Sequence, residues 1–195
     1  MQTLLITGFD PFGGADINPS WEAVKQLPDT IGQFRLHKLQ LPTIFGKAAE
    51  TVLACADTLQ PDVIVCIGQA SGREAVTPER IAVNIRDSSL RSLPDNAGHI
   101  ASGEPCHPEG PPAYFSALPA DKMAQAIRNA GLPGAVSNTA GTFVCNDTLY
   151  LLLHHFAQTQ TRAGFIHIPQ LPQQGSPSLS LDQITQALTA AINAL

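Results

Sequence analysis

The 195-residue sequence has few charged residues and no cluster of positive ones. Asp, Glu, Lys and Arg together make up 14% of the chain, well below the usual quarter, and the formal net charge is −5. Proteins that follow a phosphate backbone carry patches of Lys and Arg, so this composition argues against a nucleic-acid partner. Hydrophobic residues make up 44% of the chain, which is the composition of a folded protein and not of a disordered one.

Long hydrophobic runs and targeting signals are also missing. No stretch approaches the roughly 20 apolar residues that a membrane-spanning helix needs. The first eight residues contain no Lys or Arg, and their apolar run is too short for a secretory signal. We therefore expect no membrane contact and a cytoplasmic location.

Cysteine is scarce as well, with no CxxC pair and four residues in all: Cys55, Cys66, Cys106 and Cys145. Disulfide scaffolds of short secreted chains are denser than this, so we expect four free thiols. Cys106 and His107 lack the spaced partners of a zinc site, and the adjacent His154 and His155 point to different sides of a helix. The sequence therefore predicts no bound metal.

Short β-rich runs alternate with helical stretches along the chain. Strands are predicted at residues 3–7, 34–41, 63–67, 81–85, 135–139 and 164–168. Helices are predicted at residues 19–27, 44–59, 121–130, 146–159 and 181–195. This alternation predicts a single-domain three-layer α/β/α sandwich over residues 1–195, with a mostly parallel, mixed and twisted sheet. Residues 88–118 show no clear period and are predicted as a long irregular loop.

Ligands of open α/β sheets bind beyond the carboxyl ends of the strands, which here directs attention to residues 8–14, 68–79, 139–146 and 167–169. The glycine-rich segment 8–14 has neither the GK[ST] ending of a P-loop nor the GxGxxG spacing of a dinucleotide loop. Its two aromatic residues, Phe9 and Phe12, fit either the wall of a small apolar pocket or an anchor of the loop on the core.

Cys145 lies at or near the start of a predicted helix, beside Gly141. The unpaired N–H groups and positive dipole end of a helix start favour a thiolate, and they can also hold the oxyanion of a tetrahedral intermediate. We expect this position, together with His167, to lower the thiol pKa below its usual value of about 8.5. The alternative is a small buried thiol, which is our interpretation of Cys55 and Cys66.

His167 lies near the end of a predicted strand, where a neutral imidazole can take the proton of Cys145 and return it to a leaving amine. A core histidine bonded to the backbone is the alternative. A Cys–His couple works better with a third group that orients the imidazole, and Asp10 and Glu79 both have suitable positions. Glu79 fits equally well a solvated pair with Arg80, and spacing alone does not decide.

Five segments form a combined pattern: TGFDPFG (7–13), GQASGR (68–73), TPERIAVN (77–84), SNTAGTFVCN (137–146) and GFIHIP (164–169). Together they resemble the type I pyroglutamyl peptidases, also called pyrrolidone-carboxylate peptidases, and the resemblance runs nearly end to end. It implies a cysteine peptidase that removes an N-terminal pyroglutamyl residue from peptides through a thioacyl intermediate. It further implies that Cys145 is the nucleophile, His167 the general base and acid, and Glu79 the third member of the triad.

The same resemblance implies a pocket for the pyroglutamyl ring. It assigns the lining of this pocket to Phe9, Phe12 and Phe143, with Gln69 contributing through its backbone. Arg91 is the equivalent of an arginine that the family associates with the oxyanion, although residues 86–95 depart from the family pattern by one extra residue. Members of the family need no cofactor and often form homotetramers, so the resemblance implies both properties here.

Two other functions fit the residues. A different cysteine amidase would keep Cys145 and His167 and change the pocket. A non-catalytic α/β module would bind a small metabolite, and the presence of a complete set of Cys, His and Glu argues against it.

Overall fold

The computed structural model describes all 195 residues. It contains ten strands: β1 (Gln2–Phe9), β2 (Thr30–Ile31), β3 (Phe34–Leu41), β4 (Val63–Gln69), β5 (Thr77–Pro78), β6 (Ile81–Val83), β7 (Arg86–Asp87), β8 (Ser102–Glu104), β9 (Ala113–Phe115) and β10 (Arg162–Ile168). It also contains five α-helices: α1 (Pro19–Gln26), α2 (Lys47–Leu59), α3 (Ala120–Asn129), α4 (Val144–His155) and α5 (Leu181–Asn193).

A six-stranded sheet with the order β2-β3-β1-β4-β10-β5 forms the centre of the molecule. Strands β3, β1, β4 and β10 are parallel, whereas the short edge strands β2 and β5 are antiparallel to their neighbours. The predicted mostly parallel, mixed sheet is confirmed. Because parallel strands end at the same edge, the segments that follow β1 and β4 meet the end of β10 there.

The central strands are buried on both faces, since successive side chains of a strand point to opposite sides. In β4, Val63, Val65 and Ile67 join one core with residues of α1, α3 and α5. Ile64 and Cys66 of the same strand join a second core with residues of α2 and α4. The predicted three layers, helices on both faces of one sheet, are therefore confirmed.

Polar caps determine where α1 and α5 begin. The side-chain oxygen of Asn18 accepts a hydrogen bond from the N–H of Ser20 at 3.1 Å. Ser180 Oγ accepts from the N–H of Gln183 at 3.2 Å, and Gln183 Oε1 accepts from the N–H of Ser180 at 2.9 Å, which is a complete capping box. Both predicted helix starts are confirmed.

The predicted strand at 135–139 is wrong. This segment makes one isolated bridge, between Glu79 and Ser137. Ser137 Oγ donates to the carbonyl of Thr139 at 3.0 Å and accepts from the N–H of Thr139. Such local side-chain bonds compete with the ladder of a sheet.

Other boundaries differ from the prediction as well. Helix α2 begins at Lys47 and not at residue 44, because Gly46 has a φ of 71° that a helix does not allow. Helix α4 spans Val144–His155 instead of 146–159. The segment 88–118 is not irregular throughout, since it contains β8 and β9, which pair with β7 and β6. No helix of the chain has the length and hydrophobicity that crossing a membrane requires.

Candidate active site

One cavity of about 730 Å³ opens at the carboxyl edge of the central sheet. It is lined by seven of the eight residues that the sequence singled out: Phe9, Phe12, Gln69, Arg91, Phe143, Cys145 and His167. The eighth, Glu79, does not line the cavity and lies behind His167. The fold thus brings together residues that are separated by up to 158 positions along the chain.

Cys145 is the second residue of α4, for which Phe143 is the N-cap. The chain enters this helix through a turn in which Gly141 has a φ of 77°, a conformation that favours glycine. The first N–H groups of α4 have no partner within the helix, so they are available to a ligand at the helix end that carries the thiol. The predicted position of Cys145 at a helix start is confirmed.

The thiol lies directly over β4 at Gly68. A methyl group on Gly68 would come within 2.9 Å of Cys145 Sγ, so only a residue without a side chain lets the sulfur approach the strand this closely. Gly68 is paired with His167 in the parallel register of β4 and β10. His167 lies on the same face of β10 as Phe165, the face that α4 covers, so the imidazole and the thiol lie on the same side of the sheet and both line the cavity.

The imidazole of His167 is held from behind by Glu79. Nδ1 of His167 lies 2.7 Å from Oε1 of Glu79, and both side chains are buried. An ionised carboxylate only accepts hydrogen bonds, so Nδ1 carries the proton and Nε2 is left as the acceptor. Glu79 reaches this position because its N–H donates to the carbonyl of Phe165 at 2.9 Å, which continues the pairing of β5 with β10.

The hydrogen-bond partners of Asp10 and Glu79 show which of these two candidates can orient His167. Asp10 accepts hydrogen bonds from Thr43 and Asn96 and does not contact His167. The alternative of a solvated pair between Glu79 and Arg80 is wrong, because Arg80 pairs with Asp121 at 2.7 Å and the Glu79 side chain is fully buried.

Burial controls the protonation of the couple. Burial raises the pKa of the Cys145 thiol to about 12, and the negative charge of Glu79 adds to this effect. Burial also lowers the pKa of His167, opposed by its hydrogen bond to Glu79. The direction of the Cys145 shift is therefore opposite to the lowering that the sequence predicts, and burial favours the neutral form of both side chains.

Aromatic side chains form one wall of the cavity. The rings of Phe12 and Phe143 face each other with centroids 6.0 Å apart, and Phe45 supports Phe143 edge-on at 5.3 Å. Phe9 is buried against Phe165, with centroids 6.1 Å apart, and still contributes to the cavity surface. Phe9 therefore combines both interpretations that the sequence left open, core anchor and pocket wall.

Gln69 and Arg91 lie at other parts of the cavity. Gln69 is the last residue of β4, and its side-chain amide donates to Ser71 Oγ at 3.2 Å. Arg91 is exposed and ends a single 3₁₀ turn, Ser89–Arg91, at the rim of the cavity. Leu90 in the same turn is 98% exposed and lines the cavity as well.

The other three cysteines do not line the cavity. Cys66 and Cys106 are buried, and burial raises the pKa of each of their thiols to about 12. Cys55 is half-buried on α2 and packs against the second core. All four cysteines are free thiols, as predicted.

Sequence reasoning missed Arg73, which also lines the cavity. Its Nη1 donates to Glu79 Oε1 at 2.7 Å, and its Nη2 donates to the carbonyl of Thr139 at 2.9 Å. The position of Arg73 six residues before Glu79 was the available signal, but spacing does not reveal that the two side chains meet. No group of three or more His, Cys, Asp or Glu side chains is arranged to hold a metal ion.

Comparisons with known proteins agree along the whole chain. A family model described as pyroglutamyl peptidase matches residues 2–195. The pyrrolidone-carboxylate peptidase of Levilactobacillus brevis is 53% identical over 98% of this chain and 96% of its own length, and that of Escherichia fergusonii is 48% identical over 98% and 92%.

Solved structures show the same similarity in three dimensions. Pyroglutamyl peptidase I of Bacillus amyloliquefaciens has a TM-score of 0.95 and 44% identity, covering 100% of this chain and 96% of that one. A mutant pyrrolidone carboxyl peptidase of Pyrococcus furiosus has a TM-score of 0.92 and 38% identity, covering 98% and 97%. The chain therefore belongs to the pyroglutamyl peptidase family, a family of cysteine peptidases.

Proposed function

We propose that this chain removes an N-terminal pyroglutamyl residue from peptides, with Cys145, His167 and Glu79 as its catalytic triad. The observation that carries the proposal is the 2.7 Å contact between His167 and Glu79 next to a cysteine at a helix start, inside an aromatic-lined cavity. This order of nucleophile, base and orienting group is the general arrangement of nucleophilic catalysis.

Acylation begins from the neutral couple. Nε2 of His167 takes the thiol proton while Sγ of Cys145 attacks the exocyclic carbonyl carbon of the pyroglutamyl residue. The N–H groups at the start of α4 stabilise the resulting oxyanion. When the C–N bond breaks, His167 gives its proton to the leaving amine, and a thioester remains on Cys145.

Deacylation uses the same groups in reverse. Water attacks the thioester while His167 removes one of its protons, and the sulfur leaves and regains a proton from the imidazolium. Free pyroglutamate and the starting thiol are formed. Glu79 keeps its charge throughout, which holds Nδ1–H in place and stabilises the imidazolium.

The cavity suits a small, flat and neutral ring. Phe9, Phe12 and Phe143 can remove the faces of the ring from water, while backbone groups near Gln69 pair the lactam N–H and C=O. Proline has a similar ring without the lactam group. Binding it would leave buried polar groups unpaired, so the site should reject prolyl substrates.

We assign Arg91 to the binding of the oxyanion or of the carbonyl that precedes it. Its exposed guanidinium lies at the rim of the cavity, on a turn within residues 86–95, the segment that departs from the family pattern. An Arg91→Ala variant should lower kcat/KM while the protein stays folded, and unchanged kinetics would remove Arg91 from the site.

The test is the release of a chromogenic amine from pyroglutamyl, prolyl and glutaminyl anilides, with and without iodoacetamide. We expect release from the pyroglutamyl anilide alone, and loss of this release after alkylation. Equal turnover of the three anilides would favour another cysteine amidase, and no turnover of any of them would favour a binding module.

We also propose a homotetramer in the cytoplasm. The low share of charged residues leaves room for apolar subunit contacts, and Phe115 is 73% exposed on β9. Four free thiols fit a reducing compartment. Sedimentation velocity and cell fractionation test the two statements, and a monomer or a secreted protein would contradict them.

A further inference from the structure

The guanidinium of Arg73 joins the three segments that carry the triad. Nη1 donates to Glu79 Oε1 at 2.7 Å and also to the hydroxyl of Thr77 on β5, whereas Nη2 donates to the carbonyl of Thr139 at 2.9 Å. Thr77 Oγ1 donates in turn to the carbonyl of His167 at 3.3 Å. Thr139 opens the turn that leads into α4 and Cys145.

Arg73 is also the cation that compensates the buried charge of Glu79. An unpaired carboxylate in the interior is strongly destabilised and takes up a proton instead. The titratable groups that face Glu79 are His167 from β10, Cys145 from α4 and Arg73 from the segment after β4. The next arginine, Arg80, is directed away to Asp121 and Asn138.

The charge state of Glu79 decides what His167 can do. As long as the carboxylate is ionised, it accepts the proton of Nδ1 and leaves Nε2 free to act as a base. A protonated Glu79 would lose this preference for one tautomer. The side chain of Arg73 is 25% exposed where it lines the cavity, so substrate binding would further shield its interaction with Glu79 from water.

We propose that Arg73 is a positioning residue of the peptidase, which supplies the positive charge beside Glu79 and fixes the Glu79–His167 pair relative to the turn that carries Cys145. This inference rests on the proposed function, because it concerns the same triad. The fork of the guanidinium supplies the geometry, and its positive charge pairs with the buried carboxylate of Glu79. A lysine at this position can supply the positive charge but cannot reproduce the forked geometry.

The test compares Arg73→Gln and Arg73→Lys with Arg80→Gln as the matched control, measuring kcat, KM and the pH dependence of kcat/KM on a pyroglutamyl anilide. For Arg73→Gln we expect kcat to fall about 10- to 100-fold with little change in KM, which is part of the 10²–10⁴-fold effect of a positioned general base. The acid limb of its pH profile should move to higher pH, because His167 binds a proton more easily without the neighbouring cation.

Arg73→Lys should lower kcat and leave the acid limb near its original position, since the positive charge remains while the fork is lost. Arg80→Gln should have the same kcat and the same acid limb as the parent protein. An acid limb of Arg73→Gln that coincides with that of the parent would overturn the inference, and so would an equal shift in Arg80→Gln. If Arg73→Gln does not fold, Arg73→Lys decides, and a parental kcat in that variant overturns the inference.

The proposed function and this inference fail in different ways. A parent protein that releases no amine from the pyroglutamyl anilide would overturn the proposed function and the role of Arg73 with it. An active parent whose Arg73 variants have the same kcat and pH profile would overturn the role of Arg73 alone.

Discussion

At the scale of single residues, burial favours the neutral forms of the proposed nucleophile and of its proposed base. Burial raises the pKa of Cys145 and lowers the pKa of His167, and both shifts disfavour a resting thiolate–imidazolium pair. For the thiol, Arg73 acts in the opposite sense and is outweighed by burial, whereas for His167 it adds to the lowering of the pKa. The proposed mechanism therefore relies on proton transfer during attack and not on a preformed thiolate.

The pH dependence of alkylation tests this protonation state. In a Cys55→Ala background, which removes the other partly accessible thiol, the rate of Cys145 alkylation by iodoacetamide should keep rising with pH through 9 and beyond. The reason is that the thiolate fraction of a group with a pKa of about 12 still increases there. Mass spectrometry of the labelled peptide gives the rate, and a rate that is constant from acidic to neutral pH would show a preformed ion pair instead.

Substitutions of Glu79 and of Cys145 should reduce the activity to different extents. An orienting group supports the couple without replacing the nucleophile, so Glu79→Gln should lose less than Cys145→Ala, by a factor on the order of 10². Steady-state release of amine from a pyroglutamyl anilide measures both losses. An equal or larger loss in Glu79→Gln would require a different role for this carboxylate.

At the scale of elements, the site depends on the close approach of α4 to the central strands. Gly68 on β4 leaves the space that Cys145 Sγ and the ring of Phe165 occupy, since a methyl group there would lie 2.9 Å from the sulfur and 2.7 Å from Phe165 Cζ. Gly164 on β10 makes a similar approach to Leu118, far from the thiol, with a distance of 2.5 Å to Leu118 Cδ1. Substituting each glycine in turn therefore distinguishes the loss of stability caused by overpacking from a change in the geometry of the site.

Gly68→Ala and Gly164→Ala therefore form a matched pair. Each should lower the free energy of unfolding by about 1–3 kcal/mol, because a methyl group is forced into a filled core. Only Gly68→Ala should also reduce the kcat of the folded protein, since it displaces the sulfur relative to His167. Urea unfolding and kinetics on the pyroglutamyl anilide measure the two effects, and a normal kcat in folded Gly68→Ala would contradict this view of the contact.

Elements with a local signal were predictable from the sequence, whereas contacts between distant segments were not. Asn18 and Ser180 mark the starts of α1 and α5 through their own hydrogen bonds, and the apolar run of β4 indicates a strand buried on both faces. The segment at 135–139 has the composition of a strand but finds no continuous partner. The candidate site followed from the resemblance and from sheet topology, while the pairing of Arg73 with Glu79 depends on a turn that no spacing rule describes.

At the scale of the whole molecule, one sheet separates two cores, and the proposed reaction site lies in the cavity at its carboxyl edge. His167 belongs to the buried part of this edge, so its charged form is disfavoured only in the folded protein. Its pKa is lowered on folding from an unfolded value near 6.5, and the unfolded chain therefore binds a proton below pH 6.5 that the native protein does not. Stability is lost as the pH falls through that range.

The free energy of unfolding should accordingly decrease between pH 7.5 and 5.5. His167 contributes at most about 1.4 kcal/mol per pH unit, and His154, whose pKa is lowered mainly by burial, contributes with the same sign. In His167→Gln the decrease should be smaller, although His154 keeps part of it. Urea titrations at both pH values measure the change, and an identical decrease in the two proteins would mean that His167 does not carry this effect.

The most direct test of the account is the rate of amine release from a pyroglutamyl anilide by the parent protein, Cys145→Ser and Cys145→Ala. The account predicts that both variants fold and lose at least on the order of 10³-fold in kcat/KM, because a nucleophile of a triad has no substitute. Release by either variant at the rate of the parent protein would show that the reaction does not pass through the Cys145 thioester.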